Sequence, residues 1–198
     1  LAAGLEETLE ETVRRLGGSS DPITREDVLE IQRKVLETSK DPADRRLAER
    51  AKVLQEETLA DLLLWMSASP KARTDWKSQG YQSTSFELLA LSFTPGKEGS
   101  LDPEDLVIHA VLVAWAMPRY GVVLGGSHRT GWALMNVLLL RARIIQDPLV
   151  LGSALLQKYY RILHASGETS LAEFVDFVRN YLQSPSTGMK EDGLKKAR

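Results

Sequence analysis

No cysteine occurs among the 198 residues, which excludes disulfides, thiolate metal sites and cysteine nucleophiles. Long apolar runs are missing as well. The longest, "LVIHAVLVAWAM" at 106–117, is too short to span a bilayer, so no membrane span is expected. The first residues lack the basic-then-apolar order of a secretory signal. No HExxH or similar spacing is present, and His109, His128 and His164 do not cluster, so neither a metal nor a cofactor is expected. His109 lies inside an apolar helix pattern and is expected to be a hydrogen-bonded core residue. Strand signals are scarce too. Only "YGVVLG" at 120–125 reads as one, and a single strand makes no sheet, so an extended connection is expected there.

What remains is helical. Four Asp-Pro pairs (21–22, 41–42, 102–103, 147–148) precede apolar-periodic segments, with Asp suited to the N-cap and Pro to the first turn. Thr24 and Asp27 approximate a capping box ahead of Val28, Ile31 and Val35. Apolar positions from Leu47 to Met66 predict one long amphipathic helix over 42–66, and further helices fit 86–93, 103–117, 131–146, 148–165 and 170–183. The expected fold is all-α: a single compact helical domain of about seven or eight helices. Its core spans 22–183, between an N-terminal helical arm (1–18) and a flexible, polar C-terminal tail (184–198). The arm carries a thin stripe of Leu5, Leu9, Val13 and Leu16 before "GGSSDP". So narrow a face gains little alone, so it is expected to dock on this domain or, as the oligomerisation element, on a neighbouring copy.

The net charge of −2 conceals an asymmetry. Residues 1–118 carry −7, whereas 119–161 carry +5 from Arg119, Arg129, Arg141, Arg143, Lys158 and Arg161 against Asp147 alone. A basic middle in an acidic chain implies an anionic partner, self-association, or pairing with the acidic half inside one domain. Within it, "RYGVVLGGSHRTG" (119–131) invites comparison with phosphate-binding loops. It fails as a Walker loop, because Ser127 and His128 stand where Lys and Ser/Thr are required. It fails as a dinucleotide fingerprint for want of a βαβ frame, and as a nucleophile elbow because Arg129 replaces the second glycine. The reading that survives is a helix N-terminus capped by Ser127 or Thr130, with Arg129 beside it, able to hold one anion. Trp76, Tyr81 and Phe86, and the pair Tyr159/Tyr160 beside Lys158 and Arg161, place aromatics near cations, a pattern that can stack bases. Trp76 and Phe86 are better read as core anchors that pin a loop, and of the adjacent Tyr159 and Tyr160 one is expected to face out.

The segment "WMSASPKARTDWKSQGYQSTSFELLALSF" (65–93) resembles a segment of the coat proteins of flexible filamentous plant viruses. There a helix ending in tryptophan is followed by a proline-containing loop, W-x-x-x-G-F/Y and an aromatic run. Trp65, Pro70, Trp76, Gly80, Tyr81 and Phe86 fit that order, and "FELLALSF" stands in place of the aromatic run. "MPRYG" at 117–121 is similar to a pentapeptide in another branch of those proteins. The resemblance implies a helical, RNA-encapsidating subunit that polymerises through its terminal arms, found in virions and host cytoplasm. The expected function is therefore a non-enzymatic, self-associating nucleic-acid-binding protein of nucleocapsid or coat type. Its six central cations would hold single-stranded RNA by its phosphates. The alternative is a helical protein–protein adaptor without nucleic-acid binding.

Overall fold

The computed structural model describes residues 7–67, 103–164 and 169–183, and among these it holds eight helices and no strand. The all-α expectation is met. The chain divides into two compact units, residues 1–148 and 149–198. The first contains α1 (Leu9–Gly18), α2 (Arg25–Glu37), α3 (Pro42–Ala48), α4 (Glu56–Ser67), α5 (Pro103–Arg119) and α6 (Ser127–Arg141). The second contains α7 (Ser153–His164) and α8 (Thr169–Gln183). The expected tail, Leu5, the 86–93 helix, and Trp76, Tyr81 and Phe86 lie outside the described residues.

In the first unit the α5–α6 hairpin is the core, because both helices are apolar almost all round. Residues 110–117 of α5 and 133–139 of α6 are buried. Small residues set how closely the two helices approach. A Cβ added at Gly131 would lie 3.1 Å from the Cα and carbonyl oxygen of Ala114 and 3.0 Å from Met117 Cβ. That carbonyl has no donor from its own helix four residues on, since residue 118 is proline.

α2 crosses α6 antiparallel. Its C-terminal Val35 and Leu36 meet Gly126, while its N-terminal Asp27 acts electrostatically on Arg141 at the other end of α6. α4 is clasped to α5 by a reciprocal pair. The Trp65 Nε1–H donates to the His109 carbonyl (2.9 Å), the His109 Nε2–H donates to the Trp65 carbonyl (2.6 Å), and the rings stack 4.8 Å apart. His109 is thus the hydrogen-bonded core residue expected.

The long helix expected over 42–66 is broken. α3 ends at Ala48 and α4 begins at Glu56, because residues 52–55 pair in extended form with 122–124. Leu124 N–H donates to the Lys52 carbonyl (3.0 Å) and Leu54 N–H to the Val122 carbonyl (2.8 Å). This two-sided match outweighs the helical periodicity of the segment. The extended connection read at 120–125 is therefore one half of an isolated antiparallel bridge.

α1 is part of the first unit rather than a loose arm. Val13 and Leu16 are buried, Leu9 is half-buried, and Gly17 packs directly on Leu140 of α6. A capping box between Thr8 and Glu11 starts the helix. Arg15 pairs with Glu30 of α2 (3.1 Å), Lys34 donates to the Glu7 carbonyl, and Arg14 reaches Asp147 (2.9 Å). The stripe looked too narrow because its packing is completed by two closely fitting groups, Thr12 and Gly17, both buried. Of the two dockings the sequence left open for this stripe, on its own domain or on a neighbouring copy, the structure describes the first: Val13 and Leu16 are buried within the chain.

In the second unit, Tyr159 of α7 packs on Phe174 and Phe177 of α8 at ring separations of 5.5 and 6.4 Å. Tyr159 is fully buried and Tyr160 half-buried, which resolves the choice between the two. Burial pushes the Tyr159 hydroxyl far above its ordinary pKa.

Candidate nucleic-acid interface

The 119–131 stretch forms the turn between α5 and α6. Gly121, Gly125 and Gly126 have φ of 56°, 73° and 66°, in the left-handed region that glycine occupies without steric cost. At Gly126 the chain also presses on α2, where an added Cβ would stand 3.0 Å from Val35. Gln32 of α2 fastens the turn by donating to the Leu124 carbonyl (2.6 Å).

The expected cap at the start of α6 is absent. Gly126 is the N-cap and offers no side chain. The Ser127 hydroxyl donates backwards to the Val123 carbonyl (3.2 Å), and the Thr130 hydroxyl is buried with no hydrogen-bond partner among the described residues. Arg129, expected beside an anion at this terminus, already has one within the chain, since its guanidinium pairs with Asp44 of α3 at 3.3 Å.

The six central cations therefore separate into distinct environments. Arg141 is turned inward, where its Nε–H donates to the Leu16 carbonyl (2.9 Å) at the C-terminal end of α1. Burial lowers its pKa, and Asp27 and Asp21 oppose that shift. Arg119 is exposed, with its guanidinium 4.6 Å from the centre of the Trp115 ring. Lys158 and Arg161 share the exposed side of α7, with the Lys158 ammonium 5.9 Å from the Phe177 ring. Among the described residues no three His, Asp or Glu side chains group as a metal site, and no helix is long and apolar enough to cross a membrane.

Arg143 differs from the rest. The periodicity predicted a helix to residue 146, yet α6 stops at Arg141. The stop is a Schellman motif, in which Arg143 N–H donates to Leu140 and Ile144 N–H to Leu139, each at 3.0 Å. The motif requires a left-handed residue at Arg143, and its φ is 57°. It is the one non-glycine residue with positive φ among those described. Glycine usually fills that place, and an L-residue there costs about 1–2 kcal/mol. The arginine is exposed and has no ion-pair partner among the described residues.

No protein-family model, curated protein or solved structure matches this chain.

Proposed function

We propose that this is a non-enzymatic, phosphate-directed RNA-binding protein of nucleocapsid or coat type that self-associates on its nucleic acid. Arg143 carries the reading. A long cation held exposed at a backbone position that favours glycine is a strained arrangement, and such strain marks positions where the side chain has a use. Arg119, Lys158 and Arg161 offer the same chemistry, because among the described residues no carboxylate pairs with them. Contacts of this kind neutralise phosphates without reading bases, so binding is expected to be strongly salt-dependent and indifferent to sequence. The 65–93 resemblance supports the structural-protein class, and light scattering with and without single-stranded RNA tests the assembly.

Arg143→Gly separates function from stability, because its two effects have opposite signs. Relief of the left-handed strain is expected to stabilise the fold by about 1 kcal/mol. Loss of one phosphate contact is expected to flatten the log–log salt dependence by about 0.7, which is a loss of roughly fivefold at 0.1 M salt. Paired measurements of thermal unfolding and RNA affinity check this. A variant that is more stable and binds RNA as tightly as the parent removes Arg143 from the interface.

A second reading, a protein–protein adaptor, is favoured by Arg129 and Arg141, whose charges serve the fold itself. The outer face of α2 is its candidate surface, a shallow depression lined by Glu26, Glu30, Arg33, Lys34 and Glu37. Monomeric protein that shows no RNA affinity at low salt would decide for it.

A further inference from the structure

The bridge between 52–55 and 122–124 joins two parts of the chain that the charge distribution set apart. Residues 1–118 are acidic as a whole, which masks the cations among them in a charge balance. The hydrogen bonds from Leu124 to Lys52 and from Leu54 to Val122 bring the α3–α4 connection against the α5–α6 turn. Leu47 of α3 lies within 3.2 Å of a Cβ built on Gly125, and Asp44 pairs with Arg129. α3 thus shows its Asp44–Leu47–Ala48 side to the turn. Arg46 lies on the opposite side of α3, and Arg50 follows one turn later in chain order.

Arg46, Arg50 and Lys52 are all exposed, and none has an ion-pair partner among the described residues. Three carboxylates close to them in the chain are engaged elsewhere. Asp44 accepts from Ser39 (2.6 Å) as well as from Arg129. Asp41 caps α3 through the Ala43 N–H (2.8 Å), and Glu56 holds Arg25 at 2.7 Å. Glu49, exposed as well, stands between Arg46 and Arg50 in the sequence. Such a ridge repels other cations and gains by neutralising a polyanion.

We infer that Arg46, Arg50 and Lys52 form a phosphate-binding rim that, together with Arg119 beyond the bridge, carries single-stranded RNA across the first unit. The inference rests on the proposed function and assigns it a surface. Three contacts released together flatten the salt dependence by about 2, which is roughly a hundredfold loss of affinity at 0.1 M salt.

The test is fluorescence anisotropy of a labelled oligouridylate titrated with the full chain over a range of salt. Wild type is compared with the triple variant Arg46→Gln/Arg50→Gln/Lys52→Gln and with Glu49→Lys. The triple variant is expected to bind about a hundredfold more weakly with the flatter slope, and Glu49→Lys about fivefold more tightly. Should the triple variant lose helicity by circular dichroism, Glu49→Lys alone decides, because it adds a charge at an exposed position. If wild type binds, Arg143→Gly weakens it, and neither the triple variant nor Glu49→Lys changes it, the rim is overturned while the proposed function stands. Absence of any wild-type binding at low salt overturns both.

Discussion

Leu16→Ala is expected to destabilise the protein by about 3 kcal/mol, the usual cost of truncating a buried leucine. Leu16 is 5% exposed on α1, against α6, and its carbonyl also receives the Arg141 guanidinium. Removal of residues 1–18 should cost more, since it would also expose the apolar seat on α6 and leave Arg141 without its acceptor. Urea unfolding followed by circular dichroism reads both effects. Gly17→Ala gives the sharpest discrimination. In an undocked helix the change adds about 1 kcal/mol of helix propensity. In this structure the new Cβ falls 2.7 Å from two atoms of Leu140, so overpacking of about 1–3 kcal/mol opposes the gain. A Gly17→Ala protein more stable than its parent would show that α1 does not rest on α6.

The α5–α6 seam is expected to tolerate enlargement least. Gly131→Ala sets a gain of about 1 kcal/mol in helix propensity against crowding of backbone that cannot rotate away, for a net loss of about 1 kcal/mol. Gly131→Val adds two further methyl groups at the same point, and a loss of about 3 kcal/mol is expected. For a chain of this size that corresponds to a fall in Tm of roughly 6–12 °C. The atoms in the way are the Ala114 Cα and carbonyl oxygen, part of a helix buried along most of its length. If Gly131→Val unfolds at the wild-type temperature, the helices are not in this close contact.

Much of the helical layout was legible because it is written in local chemistry. Thr24 and Asp27 form the capping box read from their spacing, and Asp41–Pro42 starts α3 as Asp-Pro chemistry suggests. Asp21–Pro22 and Asp147–Pro148 start nothing directly: α2 begins after Thr24, and α7 only at Ser153. Asp-Pro marks where a helix is permitted, while the apolar face that follows decides where it begins. The break between α3 and α4 was invisible because its cause, the pairing with Val122 and Leu124, lies some 70 residues away. The candidate interface was legible only as a charge balance. Sequence located the cations but could not show that Asp44 holds Arg129 or that Leu16 draws Arg141 inward. Arg143 was visible as a cation and hidden as a left-handed one, since nothing local in "LRARII" calls for a Schellman turn.

The seating of α1 on α6 has a consequence for biosynthesis. Leu16 and its partner Arg141 are 125 positions apart. At about 5–20 residues per second, the ribosome needs roughly 6–25 s to make the second after the first. Throughout that interval the side of Val13 and Leu16 that faces α6 has no native surface to cover it. The nascent chain therefore carries an amphipathic helix whose α6-facing side is unsatisfied, open to chaperones and to other nascent copies until α6 clears the exit tunnel.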